Sequence, residues 1–147
     1  MQMALIVLLV CLLLVCVVTD LRSRKIYDGV TLPGTAAFLV IHLIARDISM
    51  LEPLAGAAGL GGIALLVAVV SKGQFGGGDI KLFMMIGAGL GWSVGIWVFM
   101  FTFLAAAFIA WPIIVLQKLL PQKRRVKELP MAPFIAFSAM FIMALAY

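Results

Sequence analysis

Charge is what this sequence has least of. Only 12% of its 147 residues are Asp, Glu, Lys or Arg, roughly half the share of a soluble domain. Hydrophobic residues make up 65% of the chain and its mean hydropathy is +1.24. A soluble fold of this length has no way to hide so much apolar surface. A bilayer is the natural solvent, since a spanning helix needs about 20 apolar residues to cross about 30 Å of hydrocarbon. One integral membrane domain over residues 1–147 is expected. Cysteine is scarce as well. Cys11 and Cys16 are five apart in one apolar run, on different helix faces, with no His or Cys nearby to complete a metal site. They read as small buried hydrophobes, and no metal or cofactor is expected. No Gly-Lys-Ser/Thr follows a glycine run, which speaks against a phosphate cradle. No Lys or Arg precedes the apolar run 3–18 and no small-x-small site follows it. That segment is expected to persist as a helix, not to leave as a signal peptide.

Apolar runs set against breakers give six candidate spans: 3–19, 31–45, 53–70, 80–90, 94–116 and 133–147. The expected fold class is all-α, a polytopic bundle of about six transmembrane helices. The second and fourth runs are short for a crossing, so their helices are expected to extend into flanking polar residues or to lie where the bilayer thins. Gly87, Gly89, Gly91 and Gly95 fit either a turn or a close helix-packing surface. Ten of the eleven cations fall after the first, third and fifth spans, and only Arg46 falls on the other side. This bias puts the three basic loops in the cytoplasm and both termini on the non-cytoplasmic side. The net charge of +5 is then a topology feature. Anionic lipid headgroups, not nucleic acid, are the expected partners of the run Gln122 to Lys127.

On this topology two carboxylates share one depth. Asp20 ends the first span and Asp79 opens the fourth, and the hairpin between them returns the chain to the same side. Singly, Asp79 reads as a helix cap and Asp20 as a solvated end residue. As a pair they read as an acid and a base. Two close carboxylates cannot both ionise cheaply, so they hold one proton between them; one activates water while the other protonates a carbonyl oxygen. The glycines Gly76 to Gly78 leave the backbone before Asp79 bare, so that a substrate strand can lie against it. Gly76 and Gly78 are read as residues that shape the site. Lys81 either holds this loop or snorkels to headgroups, the latter being the better expectation.

The pattern Gly76-x-Gly78-Asp79 followed by Lys81-Leu82 resembles the Gly-x-Gly-Asp motif of intramembrane aspartyl proteases, and within them the type IV prepilin peptidases. Asp20 in "TDLRSRKI" is similar to that family's first catalytic aspartate, which closes helix one in a basic segment. Leu129 to Phe137 resembles the proline-containing opening of its last helix. The chain departs from the family's Ile-Pro-Asn by reading Ile26-Tyr27-Asp28, and Asp20 is preferred to Asp28 as the catalytic group. The stretch Asp20 to Thr31 is too short for the zinc-binding cytoplasmic domain of the larger members. In this the chain is similar to the minimal Tad/Flp-pilus branch. The resemblance implies a prepilin leader peptidase of the bacterial inner membrane. It would cut the basic leader of Flp-type prepilins and pilin-like proteins at the cytoplasmic face, with Asp20 and Asp79 as the catalytic dyad.

His42 is the only histidine and reads as packed or hydrogen-bonded away from the dyad. Besides a structural assembly subunit of a secretion system, which would not require two aspartates and the glycine loop, two other functions compete. One is a proton-coupled transporter or channel subunit, which calls for acids near mid-membrane and inverted repeats. The other is an aspartyl protease acting on some other single-span substrate.

Overall fold

The computed structural model describes residues 2–45, 49–72, 75–119 and 131–146; Arg46, Asp47 and the basic run Gln122 to Lys127 lie outside them. In hydrocarbon every backbone N–H and C=O must find its partner within the chain, and apolar runs of this length meet that demand as helices. The described residues form α1 (Gln2–Ser23), α2 (Asp28–Ala45), α3 (Leu51–Val70), α4 (Gly77–Leu119) and α5 (Ala132–Ala146). Four of these are long and apolar enough to cross a membrane: Met3–Ser23, Asp28–Ala45, Leu51–Val70 and Gly77–Phe108. α5 is a shorter apolar helix of 15 residues. The fold is an all-α, multi-pass bundle. α2 does begin among polar residues, at Asp28, as its short apolar run requires.

α4 does not run straight. Gly91 has φ 78° and ψ 176°, a region that is open in practice to glycine alone. The ring centroids of Phe83 and Phe99 are 4.8 Å apart, and those of Phe75 and Phe103 are 6.0 Å apart. Sixteen residues of unbroken helix would separate the first pair by about 24 Å. The chain therefore doubles back at Gly91, and α4 is two antiparallel limbs, 77–90 and 92–119. These limbs stand where two separate spans were expected, so the described residues form six helical rods. Both readings of the glycine-rich stretch occur in it. Gly91 makes the turn, while Gly87 meets Gly56 of α3 so closely that a methyl on either would enter the other's backbone.

The turn also parts a hydrogen bond. In a continuous helix the Ser93 amide would donate to the Gly89 carbonyl four residues back. Here Ser93 N–H donates to Glu52 Oε2 at 3.2 Å, and Ser93 Oγ donates to Glu52 Oε1 at 3.1 Å. The Gly89 carbonyl accepts from His42 Nε2 at 3.2 Å, and His42 is only 4% exposed. Side chains from α2 and α3 thus take up both halves of the parted pair, which is where the expected hydrogen-bonded histidine finds its partner. This is one end of the bundle. The other end gathers the last turn of α1 and the starts of α2, α4 and α5.

Candidate active site

Both aspartates continue the buried face of their own helix. On α1 the buried residues are Leu5, Leu9, Leu13 and Cys16, and Asp20 follows at the next helical step. On the first limb of α4, Asp79 is followed at helical spacing by Leu82, Phe83, Ile86 and Leu90, all buried. Asp20 is 8% exposed and Asp79 is 7% exposed. A carboxylate at the end of an apolar stripe is carried inward by the stripe. The solvated helix-end reading of Asp20 does not fit this burial.

Each carboxylate has an identified backbone partner. Asp20 Oδ2 accepts from the amide of Ala132 at 3.2 Å. Ala132 opens α5, so this amide has no acceptor within its own helix. Asp79 lies in the first turn of α4 and folds back over Gly76, whose backbone amide bonds to it. That is the reciprocal half of a capping box, and the helix-cap reading of Asp79 holds as far as it goes. A Cβ on Gly76 would stand 2.8 Å from Asp79 Oδ2, so only glycine leaves the carboxylate this position. The Asp20 carboxyl lies within electrostatic range of Asp79. Asp20 and Asp79 are thus brought to the same end of the bundle and into each other's field.

The remaining expected residues close around them. Gly78 lies under Ile26: a Cβ on Gly78 would stand 2.7 Å from the Ile26 Cβ. Gly77 between the two other glycines has open space above it. Lys81, expected to snorkel, instead forms an ion pair with Asp28, Nζ to Oδ2 at 2.6 Å, the two side chains 35% and 57% exposed. Asp28 is accordingly engaged with Lys81, in the first turn of α2. α1 itself ends with Arg24 at φ 49°, its amide closing on the Asp20 carbonyl at 2.8 Å. Sequence reasoning did not find the Ala132 amide, the Ile26–Gly78 contact or the Asp28–Lys81 pair. Only the Lys81–Asp28 pair had a sequence cue, an acidic residue opening the second helix and a lone cation shortly after Asp79. Among the described residues no three His, Cys, Asp or Glu gather as a metal-ligand set.

Two carboxylates in one field, screened from water, with a bare backbone edge alongside, can share a proton and hydrolyse an acyl bond. Comparison with known families agrees with this chemistry: the model of the type IV leader peptidase family, Peptidase_A24, matches residues 7–115, a stretch that takes in both aspartates and the glycine loop. No curated protein and no solved structure matches the chain.

Proposed function

The chain belongs to the type IV leader peptidase family, and on that premise we propose that Asp20 and Asp79 are its catalytic dyad. The family makes it a membrane-embedded aspartic-type peptidase with prepilins as its general class of substrate. The observation that carries the assignment is the burial of both carboxylates at one end of the bundle, within each other's electrostatic reach.

In the proposed reaction the dyad holds one proton. The ionised carboxylate takes a proton from water as the water oxygen bonds to the scissile carbonyl carbon. The protonated partner gives its proton to the carbonyl oxygen, and a neutral tetrahedral diol forms. As the diol collapses, one hydroxyl proton passes to the ionised carboxylate, the C–N bond breaks, and the carboxyl that took its proton from water gives it to the leaving amine. One water is consumed and the dyad recovers its single proton. Gly76 and Gly78 keep the backbone before Asp79 narrow, and the open side at Gly77 admits an extended substrate strand.

Charge and spacing support a reading of the substrate and of the membrane face. Arg22, Arg24, Lys25, Lys72 and Lys81 cluster toward the carboxylate end of the bundle, which supports a cytoplasmic site in a bacterial inner membrane. Anionic headgroups are the lipids this rim favours. Only residues 24–27 connect α1 to α2. This leaves no room there for an inserted zinc domain and supports a minimal, Flp-type pilin peptidase built as one membrane domain. Co-expression with a Flp-type prepilin tests the proposal, with leader removal followed by gel shift. Wild type should cut. Asp20→Ala and Asp79→Ala should each insert normally and lose cleavage by at least a thousandfold, and full activity in either variant would remove the dyad assignment.

A further inference from the structure

The two helices that carry the aspartates barely touch each other. α1 packs chiefly on α5, whereas α4 packs on α3, α5 and α2. Direct packing between α1 and α4 therefore does not fix how close Asp20 comes to Asp79. α5 and α2 each touch both, and a direct tie to the residues flanking Asp79 is added by the short connector between α1 and α2. It starts at Arg24, whose amide is tied to the Asp20 carbonyl. It then lays Ile26 on Gly78, the residue directly before Asp79. It ends at Asp28, which grips Lys81 two residues beyond Asp79. Asp79 is thus held on both sides, and both holds come from the chain that has just left Asp20.

From this geometry we infer that Ile26 and Asp28 are positioning residues, a clamp through Gly78 and Lys81 that sets the approach of the two aspartates. The inference rests on the dyad reading above. Neither residue touches the reacting atoms. The Asp28–Lys81 pair is too exposed to add much stability. What it supplies is direction: it ties the first turn of α2 to the first turn of α4. Catalysis is sensitive to placement, and a misplacement of about 1 Å can lower a rate on the order of a hundredfold. Loosening the clamp should therefore reduce turnover while substrate binding, which depends on the apolar segment and the leader, stays as it was.

The test has two arms on the full-length protein in lipid. In the first, prepilin cleavage is measured for wild type, Asp28→Asn, Ile26→Gly and the swap Asp28→Lys with Lys81→Asp. Asp28→Asn should lower kcat about tenfold and leave KM within about twofold, and the swap should restore most of the loss. A rise in KM with kcat unchanged would mean that Asp28 reads the basic leader, and would overturn the clamp. So would a swap that rescues nothing. In the second arm Asp20→Cys and Asp79→Cys are joined by a short bifunctional thiol reagent in a Cys11→Ser, Cys16→Ser background. Cross-linking should slow several-fold on adding Asp28→Asn or Ile26→Gly and recover with the swap; an unchanged rate overturns the inference. This arm needs no substrate. A chain that cuts no prepilin but loses cross-linking refutes the peptidase assignment and keeps the clamp, whereas unimpaired cutting by Asp28→Asn does the reverse.

Discussion

A Cβ on Gly78 would meet the Ile26 Cβ at 2.7 Å, closer than such atoms come in real structures. Both atoms are fixed to backbone, so no side-chain rotation relieves the clash, and the strain falls on the turn that holds Asp79. Gly78→Ala should lower kcat/KM at least tenfold without loss of insertion. Adding Ile26→Gly removes the opposing atom and should return part of that activity, as a steady-state assay of the two variants would show. At Gly76 the obstacle is the Asp79 carboxylate itself, at 2.8 Å from a Cβ. The sequence nominated both glycines for shaping the backbone. It had no means of saying that one is bare to admit a carboxylate and the other to admit an isoleucine, because those neighbours arrive from elsewhere in the chain.

The helical hairpin in α4 depends on a few groups at its tip. Gly91→Ala puts a side chain where φ is 78° and should destabilise the protein by about 1–3 kcal/mol. His42→Ala orphans the buried Gly89 carbonyl and should cost a similar amount, about 1–3 kcal/mol. Glu52→Ala should cost less, because the Ser93 amide it leaves lies near solvent. Denaturant titration in mixed micelles ranks the three, and a Glu52→Ala variant more destabilised than His42→Ala would contradict this account of the turn. Two spans were legible from length alone, since 80–116 is too long for one crossing. The glycines in that stretch marked the reversal only loosely. Several residues satisfied the same composition, and the one with a side chain ready to take its freed amide was decided by α3.

For the molecule as a whole, topology and site stand or fall together. In a background without native cysteines, Lys25→Cys at the carboxylate end should react with an impermeant maleimide only after the membrane is opened. Ser49→Cys at the hairpin end should react in intact spheroplasts. The reverse pattern would turn the bundle over and overturn the proposal of a cytoplasmic site. The charge distribution supplies this expectation, because Lys and Arg outside the described residues weigh on orientation wherever their side chains rest.

Composition alone determined that this chain lives in a bilayer as helices: apolar runs of this length leave the backbone no other way to satisfy its hydrogen bonds. The motif around Asp79 and the basic segment after Asp20 were also readable, since both lie in short, local stretches. The tertiary structure decided which face of each helix is buried. α1 is apolar all round, and no periodicity in it distinguishes the face of Leu9 and Leu13 from the face that meets lipid. It also decided that Asp20 meets the Ala132 amide and that Asp28 meets Lys81, because both contacts join segments far apart in the chain and are created only when the helices pack.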